Sequence, residues 1–445
     1  MDRYQERDSH AECCSQRANG EGTMNRRIAI TGIGVRAPGG GNAKEFWKLI
    51  SSGTSAIRTI SLFDASGCRS RIAGECDFDP VAEGFSAQEI RRMDRSAQLA
   101  VAATREAVAD AGLDLAETTD PHRCGVSVGS AIGGTMSLDR EYNVLSDGGR
   151  KWLLDHEYAV PHMYNYLVPT SIAADVAWTA GAEGPVSLVS TGCTAGIESV
   201  SHAAQLIREG AADVMLAGGS DASISPICVA CFDAIKATTP RNDEPDTASR
   251  PFDRTRNGFV LAEGSAMLVL EELNHARERG AHIYAEIGGW GVRANAYHMT
   301  GLRTEGPELA QAIEVALRMA GRVPEQVDYV NAHGSGTKQN DSHETDAFKR
   351  SLGGHAYRTP VSSIKSMIGH SLGAIGSIEI AACALAIEAG LIPPTANLHE
   401  PDPELGLDYV PLTARPADLR TVLKVGSGFG GFQSAMVLTK GGSDE

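Results

Sequence analysis

The chain has no surplus of positive charge: among its 445 residues, 40 are Lys or Arg against 56 Asp or Glu, a net charge of −16. That disfavours nucleic acid or an anionic membrane as the main partner, since both attract basic surfaces. No apolar run reaches the roughly 18 residues that a membrane-spanning helix needs. The N-terminus lacks the charged-then-apolar pattern of a secretory signal. Nine cysteines are present, an odd number at uneven spacings, which argues against a disulfide framework and for a reducing cytoplasm. Cys228 and Cys231 form one C-x-x-C inside an apolar stretch with no second pair, and read as buried packing thiols rather than zinc ligands. Residues 1–23 are polar, aperiodic and poor in large apolar groups. They read as a disordered leader, with the folded body starting at Met24.

What is present is an alternation of Ala- and Gly-rich helices with β-branched runs, the pattern of an α/β protein. Arg27–Thr31, Gly125–Val128, Asp213–Ala217, Ala266–Leu270 and Val327–Val330 read as strands. Ala43–Ser51, Ser96–Ala111 and Ala195–Leu206 read as helices. The polar-aromatic stretch Gly133–Leu167 reads as an irregular insertion over one face, where specificity is often carried. The chain also repeats itself. Residues 195–210 match 375–390, both Ala-rich helices ending on Gly, and Arg26–Val35 matches Ala281–Val292. Two matches in the same order point to a duplicated half-domain, with the two helices as equivalent elements.

Several motifs compete for the chemistry. Gly32-Ile33-Gly34-Val35-Arg36-Ala37 fits a dinucleotide fingerprint, but Pro38 and Gly39-Gly40-Gly41 interrupt the place where the phosphate-binding helix should start. Gly426 to Gly431 fits the same fingerprint but runs into a strand. Gly369-His370-Ser371-Leu372-Gly373 fits a nucleophile elbow, which would make Ser371 an acyl acceptor. Ser371 reads better as the cap of the following helix. Cys193 is the stronger nucleophile. It sits among small residues (Val189-Ser190-Thr191-Gly192-Cys193-Thr194-Ala195-Gly196) where a strand ends and a helix begins, and the helix's first amides favour a thiolate. His333 and His370 stand far downstream, each beside Gly in a turn that a substrate could approach. His282, His298 and His355 read as surface or packing residues.

Thr191 to Gly196, the His333-Gly334 segment, Lys365 to His370 (KSMIGH) and Gly428-Phe429-Gly430-Gly431 together resemble the β-ketoacyl synthases of the thiolase-like superfamily. The likeness runs from about Arg26 to Leu438. It is greatest to the ketosynthase-alpha subunit of type II (aromatic) polyketide synthases, through Ala230 to Ile235, Ala296 to Gly301, Ser362 to Ser366 and Gly428 to Ala435. Gly334-Ser335-Gly336-Thr337 and Ser427 depart from the fatty-acid enzymes. Cys193 stands where the non-catalytic chain-length factor carries Gln.

The resemblance implies a thiolase-like fold of two pseudo-equivalent halves, residues 24–275 and 276–445, in five αβαβα layers. It also implies decarboxylative Claisen condensation of malonyl units into a poly-β-ketone. Cys193 would be the nucleophile, and His333 and His370 would donate to the developing enolate. The amides of Cys193 and Phe429 would form the oxyanion hole, with Phe429 also a gate. Lys365 would pair with Glu379 and hold the second histidine; Asp341 and Glu344 would support the first. Ser335 and Thr337 would bind the pantetheine amides. No metal and no tightly bound cofactor is implied, because the substrates ride on the phosphopantetheine arm of an acyl carrier protein. The expected partners are that carrier protein and a chain-length-factor subunit in a heterodimer, and a basic patch is expected at the pocket entrance. A homodimeric fatty-acid elongating synthase, and more distantly an acyltransferase centred on Ser371, are the alternatives.

Overall fold

The computed structural model describes residues 26–115 and 119–442, so the expected leader at 1–23 and its boundary at Met24 lie outside the described residues. Ten strands make one mixed sheet. In chain order they are β1 (Ile28–Arg36), β2 (Cys124–Gly129), β3 (Val186–Val189), β4 (Val214–Asp221), β5 (Gly264–Glu272), β6 (Ala285–Ala294), β7 (Tyr329–Asn331), β8 (Val361–Ser362), β9 (Thr421–Gly428) and β10 (Phe432–Thr439). Their order across the sheet is β8-β7-β9-β10-β6-β1-β5-β4-β2-β3. Reading outward from the centre, one half runs β1, β5, β4, β2, β3 and the other β6, β10, β9, β7, β8. The two outer pairings of each half are parallel and the two inner ones antiparallel. Within the sheet the halves join where Ala29 and Ile30 of β1 pair with Glu286 and Ala285 of β6.

Alternation along the strands explains the layers, because successive side chains point to opposite faces. On β4, Val214 and Leu216 join an outer core and Met215 and Ala217 an inner one. On β10, Ala435 and Val437 face out while Met436 and Leu438 face in. The outer core of the first half is closed by helices α1 (Arg95–Asp110) and α2 (Ser171–Ala180), through Ala100, Ala103, Ile172 and Val176. Between the halves lies α3 (Ala195–Arg208), which buries Ile197, Val200 and Ile207. The outer core of the second half is closed by α4 (Pro307–Met319) and α5 (Lys338–Leu352), through Ile313 and Phe348. After the single turn α6 (Lys365–Ile368), α7 (Ile375–Ala389) joins α3 in the middle layer. The result is the five-layered αβαβα arrangement that the resemblance implied.

The duplicated helices are the centre of the fold. Helices α3 and α7 are each entered through a one-turn 3-10 helix, Gly192–Thr194 and Leu372–Ala374. Their N-termini meet backbone to backbone. A methyl on Gly196 would lie 2.7 Å from the Gly373 carbonyl and from the Ser377 amide; one on Gly376 would lie 2.7 Å from the Ile197 amide. Gly196→Ala should therefore destabilise the fold by about 1–3 kcal/mol, read as a lowered midpoint in denaturant. An unchanged midpoint would mean the helices can part freely.

Two expectations are corrected. Gly133–Leu167 is not wholly irregular: Thr135–Leu145 and Met163–Leu167 are helical. The first of these is anchored where buried Asp94 accepts the Ser137 amide at 2.8 Å. Among the described residues one run is long and apolar enough to cross a membrane, Leu372–Ala389, with a mean hydropathy of 1.7. It is apolar on every side because it is the middle layer, 83% buried inside the protein. The fingerprint glycines Gly32 and Gly34 lie inside β1 and take α1 in direct contact. A methyl on Gly34 would sit 1.9 Å from the Ala103 carbonyl, so their function is packing.

Candidate active site

Strand β3 ends at Val189, the chain turns through Gly192 at φ 60°, and Cys193 follows at the mouth of α3. The turn is tied down by Thr194, whose hydroxyl donates to Glu198 at 2.7 Å and lies 2.9 Å from the Thr191 carbonyl. Glu198 in turn receives the Ser434 hydroxyl of β10 at 2.9 Å. The amides of Cys193 and Phe429 both lie beside the Cys193 sulfur. The expected bias toward thiolate is outweighed. Burial pushes the thiol up to about 12; Lys365 and the two amides pull the other way, and Asp221 adds to the rise. The residue still keeps some exposure, at the floor of a cavity.

His333 follows strand β7, in a loop braced from α5. The Glu344 carboxylate accepts the His333 amide at 2.9 Å and the Gly334 amide at 2.6 Å. One turn earlier, Asp341 accepts the amides of Gly336 at 3.2 Å and Phe252 at 2.9 Å. Burial, then the neighbouring Asp341, pushes the Glu344 carboxyl up to about 8. Buried Arg256, 3.1 Å from Asp341, opposes the same burial effect there. Gly334 has φ 42°, and a methyl on it would collide with Ser363 at 2.4 Å, so Gly is required.

His370 comes out of α6. Its amide donates to the Val260 carbonyl at 2.8 Å, and its Nδ1 accepts the Leu372 amide at 3.2 Å. That bond makes Nδ1 an acceptor and leaves the proton of the neutral ring on Nε2. It also takes the role expected of Ser371, whose hydroxyl is buried without a partner. Leu372, at φ 49°, turns its amide back to the imidazole instead. Ser371→Ala should keep most activity, because the hydroxyl makes no hydrogen bond. A folded but inactive Ser371→Ala protein would restore the acyltransferase reading.

The His333 and His370 rings are 5.1 Å apart, edge to face, and Phe259 lies edge-on to His370 at 5.3 Å. Burial first, then the Lys365 ammonium, holds both imidazoles well below their ordinary range, so both are neutral at physiological pH. Lys365 is buried and donates to Glu379 at 2.6 Å. Burial lowers its ammonium and Glu379 opposes that. Its second hydrogen bond corrects an expectation, since it goes to the backbone carbonyl of His333 and not to His370. The reason is position: Lys365 opens α6 facing the His333 loop, while His370 is held by Val260 and Leu372.

One cavity of about 60 Å³, open on one side, is lined by Cys193, His333, His370, Ser335, Thr337 and Phe429. Lys365, Glu379, Asp341 and Glu344 stand behind it and do not line it. Among the described residues no group of His, Cys, Asp and Glu could hold a metal ion. Cys228 is buried as expected, whereas Cys231 is exposed, on the outer side of its helix. His282 and His298 are exposed and His355 half-buried.

Two residues escaped the sequence reading. Asp221, at the end of β4, accepts the Ser130 hydroxyl at 2.6 Å, the Ala131 amide at 2.9 Å and the Gly373 amide at 2.7 Å. It thereby joins the first half to the turn after His370, and burial pushes it up to about 6. Lys424, on β9, is fully buried 2.6 Å from Glu379. A cation inside the apolar run Val422-Leu423-Lys424-Val425 was the available signal.

The N-terminal domain model of β-ketoacyl synthases matches residues 25–276 and the C-terminal domain model matches 284–399. The chain belongs to the β-ketoacyl synthase family. This β-ketoacyl synthase is 63% identical to the tetracenomycin polyketide synthase ketoacyl synthase alpha subunit of Streptomyces glaucescens, over 93% of its own length and 97% of the relative's. It is 41% identical to 3-oxoacyl-[acyl-carrier-protein] synthase 2 of Coxiella burnetii, over 93% and 99%. Among solved structures, a type II polyketide synthase acyl carrier protein in complex with its ketosynthase, bound to the hexaketide, matches it with a TM-score of 0.87. The identity is 37%, covering 93% of this synthase and 99% of that chain.

Proposed function

We propose that this synthase is the catalytic ketosynthase subunit of a type II polyketide system. It performs iterative decarboxylative Claisen condensation of malonyl units on an acyl carrier protein to build a poly-β-ketone. The observation that carries this is a single cavity holding one thiol and two neutral imidazoles 5.1 Å apart. That set suits a reaction needing both a nucleophile and two hydrogen-bond donors to an enolate. The 63% identity to a polyketide alpha subunit, against 41% to a 3-oxoacyl synthase, favours the polyketide reading over the fatty-acid one.

In the first half-reaction the Cys193 sulfur attacks the acyl thioester. The amides of Cys193 and Phe429 hold the oxyanion, and the pantetheine thiol leaves. One such donor is typically worth roughly 3–4 kcal/mol of barrier. In the second, the malonyl thioester carbonyl accepts hydrogen bonds from Nε2 of His333 and His370. The bond to the carboxylate breaks, carbon dioxide departs, and its electron pair becomes the enolate. The enolate carbon then attacks the acyl-cysteine and the thiolate is released. Lys365, Glu379, Asp341 and Glu344 hold the loops that carry the imidazoles, and Phe429 gates the cavity. Ser335 and Thr337, which line the same cavity, bind the pantetheine amides in this reading.

A second, more open cleft shares Thr300, Thr337, Gln339 and Phe429 with the cavity and adds Lys236 and Lys338. These two lysines are the basic entrance that an acidic carrier protein would meet. The chain-length-factor subunit would seat on the free edge of β3. There Val186 is exposed, and Trp152, Tyr164, Leu167 and Trp178 stand out on the neighbouring insertion and α2. The halves divide near residue 276, no tightly bound cofactor is needed, and the enzyme works in the cytoplasm. Co-expression with a polyketide chain-length factor, carrier protein and malonyl supply, read by mass spectrometry, should yield unreduced poly-β-ketone products. Elongation of reduced acyl chains by a homodimer would instead establish the fatty-acid alternative.

A further inference from the structure

Glu379 is buried in α7, and each of its oxygens meets a different ammonium: Oε1 that of Lys365 and Oε2 that of Lys424, both at 2.6 Å. All three residues are 0–1% exposed. Lys365 carries the chain of contacts on to the His333 carbonyl, while Lys424 also donates to the carbonyl of Val425 on its own strand. Two buried cations on one carboxylate are costly to desolvate, so a second lysine here calls for a reason beyond neutralising Glu379.

We propose that Lys424 is a positioning residue for decarboxylation: it clamps the free oxygen of Glu379, which fixes Lys365 against the His333 loop, and it leaves one uncompensated positive charge behind both imidazoles. This rests on the decarboxylating site proposed above. The ionisable groups that face this charge are Glu379 and Cys383 of α7, Lys365 of α6, Glu344 of α5, and the two histidines. Burial pushes the Glu344 carboxyl up to about 8, which favours its neutral form and weakens its hold on this charge. Lys424 acts on both histidines in the same sense as Lys365, against the imidazolium. A field that opposes a proton on the rings also favours the negative oxygen of the enolate.

The test counts charge. Lys424→Met, Lys424→Gln and the double variant Lys424→Met/Glu379→Gln are assayed, with the partner subunit, for malonyl decarboxylation against pH. The ring carbons of His333 and His370 are followed by NMR over the same range. Both single variants should start losing rate at higher pH than the parent, about tenfold at a given pH on the acid limb. The fall should lie in kcat with KM unchanged, and the rings should protonate correspondingly earlier. In the double variant one carboxylate charge leaves with one ammonium, so both readouts should return toward the parent. A parental pH profile and ring titration in the single variants, or a double variant displaced further, would overturn the proposal. If the parent itself fails to decarboxylate malonyl thioester, the proposed function falls, while the ring titrations still decide the role of Lys424.

Discussion

Cys193→Gln is expected to abolish chain elongation while malonyl decarboxylation persists or rises. The carboxamide is no nucleophile, so no acyl group can be loaded and condensation should fall roughly 10⁴-fold or more. The two imidazoles proposed to serve decarboxylation are not touched: His370 is fixed by Val260 and Leu372, and His333 by Glu344 and Lys365. The amides of residues 193 and 429 also remain in place, because they belong to the backbone. Mass spectrometry of products together with release of labelled carbon dioxide separates the two activities. Sustained elongation by this variant would remove Cys193 from the mechanism.

His333→Ala and His370→Ala should each cost decarboxylation roughly 10²–10³-fold, the usual effect of losing one donor to a developing oxyanion. The double variant should cost less than the product of the two, because the donors act on one oxygen. The pH dependence has a definite sign. Burial holds both folded-state imidazoles well below their ordinary value of 6.5, and the neutral ring is the one that serves. The rate in the parent should therefore stay level as pH falls through 6.5 and decline only in more acid solution. A decline centred near 6.5 would show that the rings are solvated and charge normally, contrary to their burial.

That Cys193, His333 and His370 share one cavity was legible because each lies in a run of small residues that a close-approach turn explains. Duplication was legible as well: the match of residues 195–210 to 375–390 corresponds to α3 and α7, each entered through its own 3-10 turn. Asp221 was not legible, because an acid at a strand end looks like any other until Gly373, far along the chain, is seen to donate to it. The capping role assigned to Ser371 failed because the left-handed backbone of Leu372, which turns its amide onto His370, is a conformation that residue type does not announce.

Residue order alone determined the chemistry on offer, one thiol and two imidazoles in Gly-bordered turns, together with the α/β alternation and the two similar halves. Tertiary structure decided which groups meet. It turned the Lys365 ammonium to the first histidine, raised the Cys193 thiol, kept both rings neutral and placed two lysines on Glu379. These are effects of burial and of distances between segments remote in sequence. Local patterns specify turns and faces, but the desolvation of a charge depends on everything packed around it.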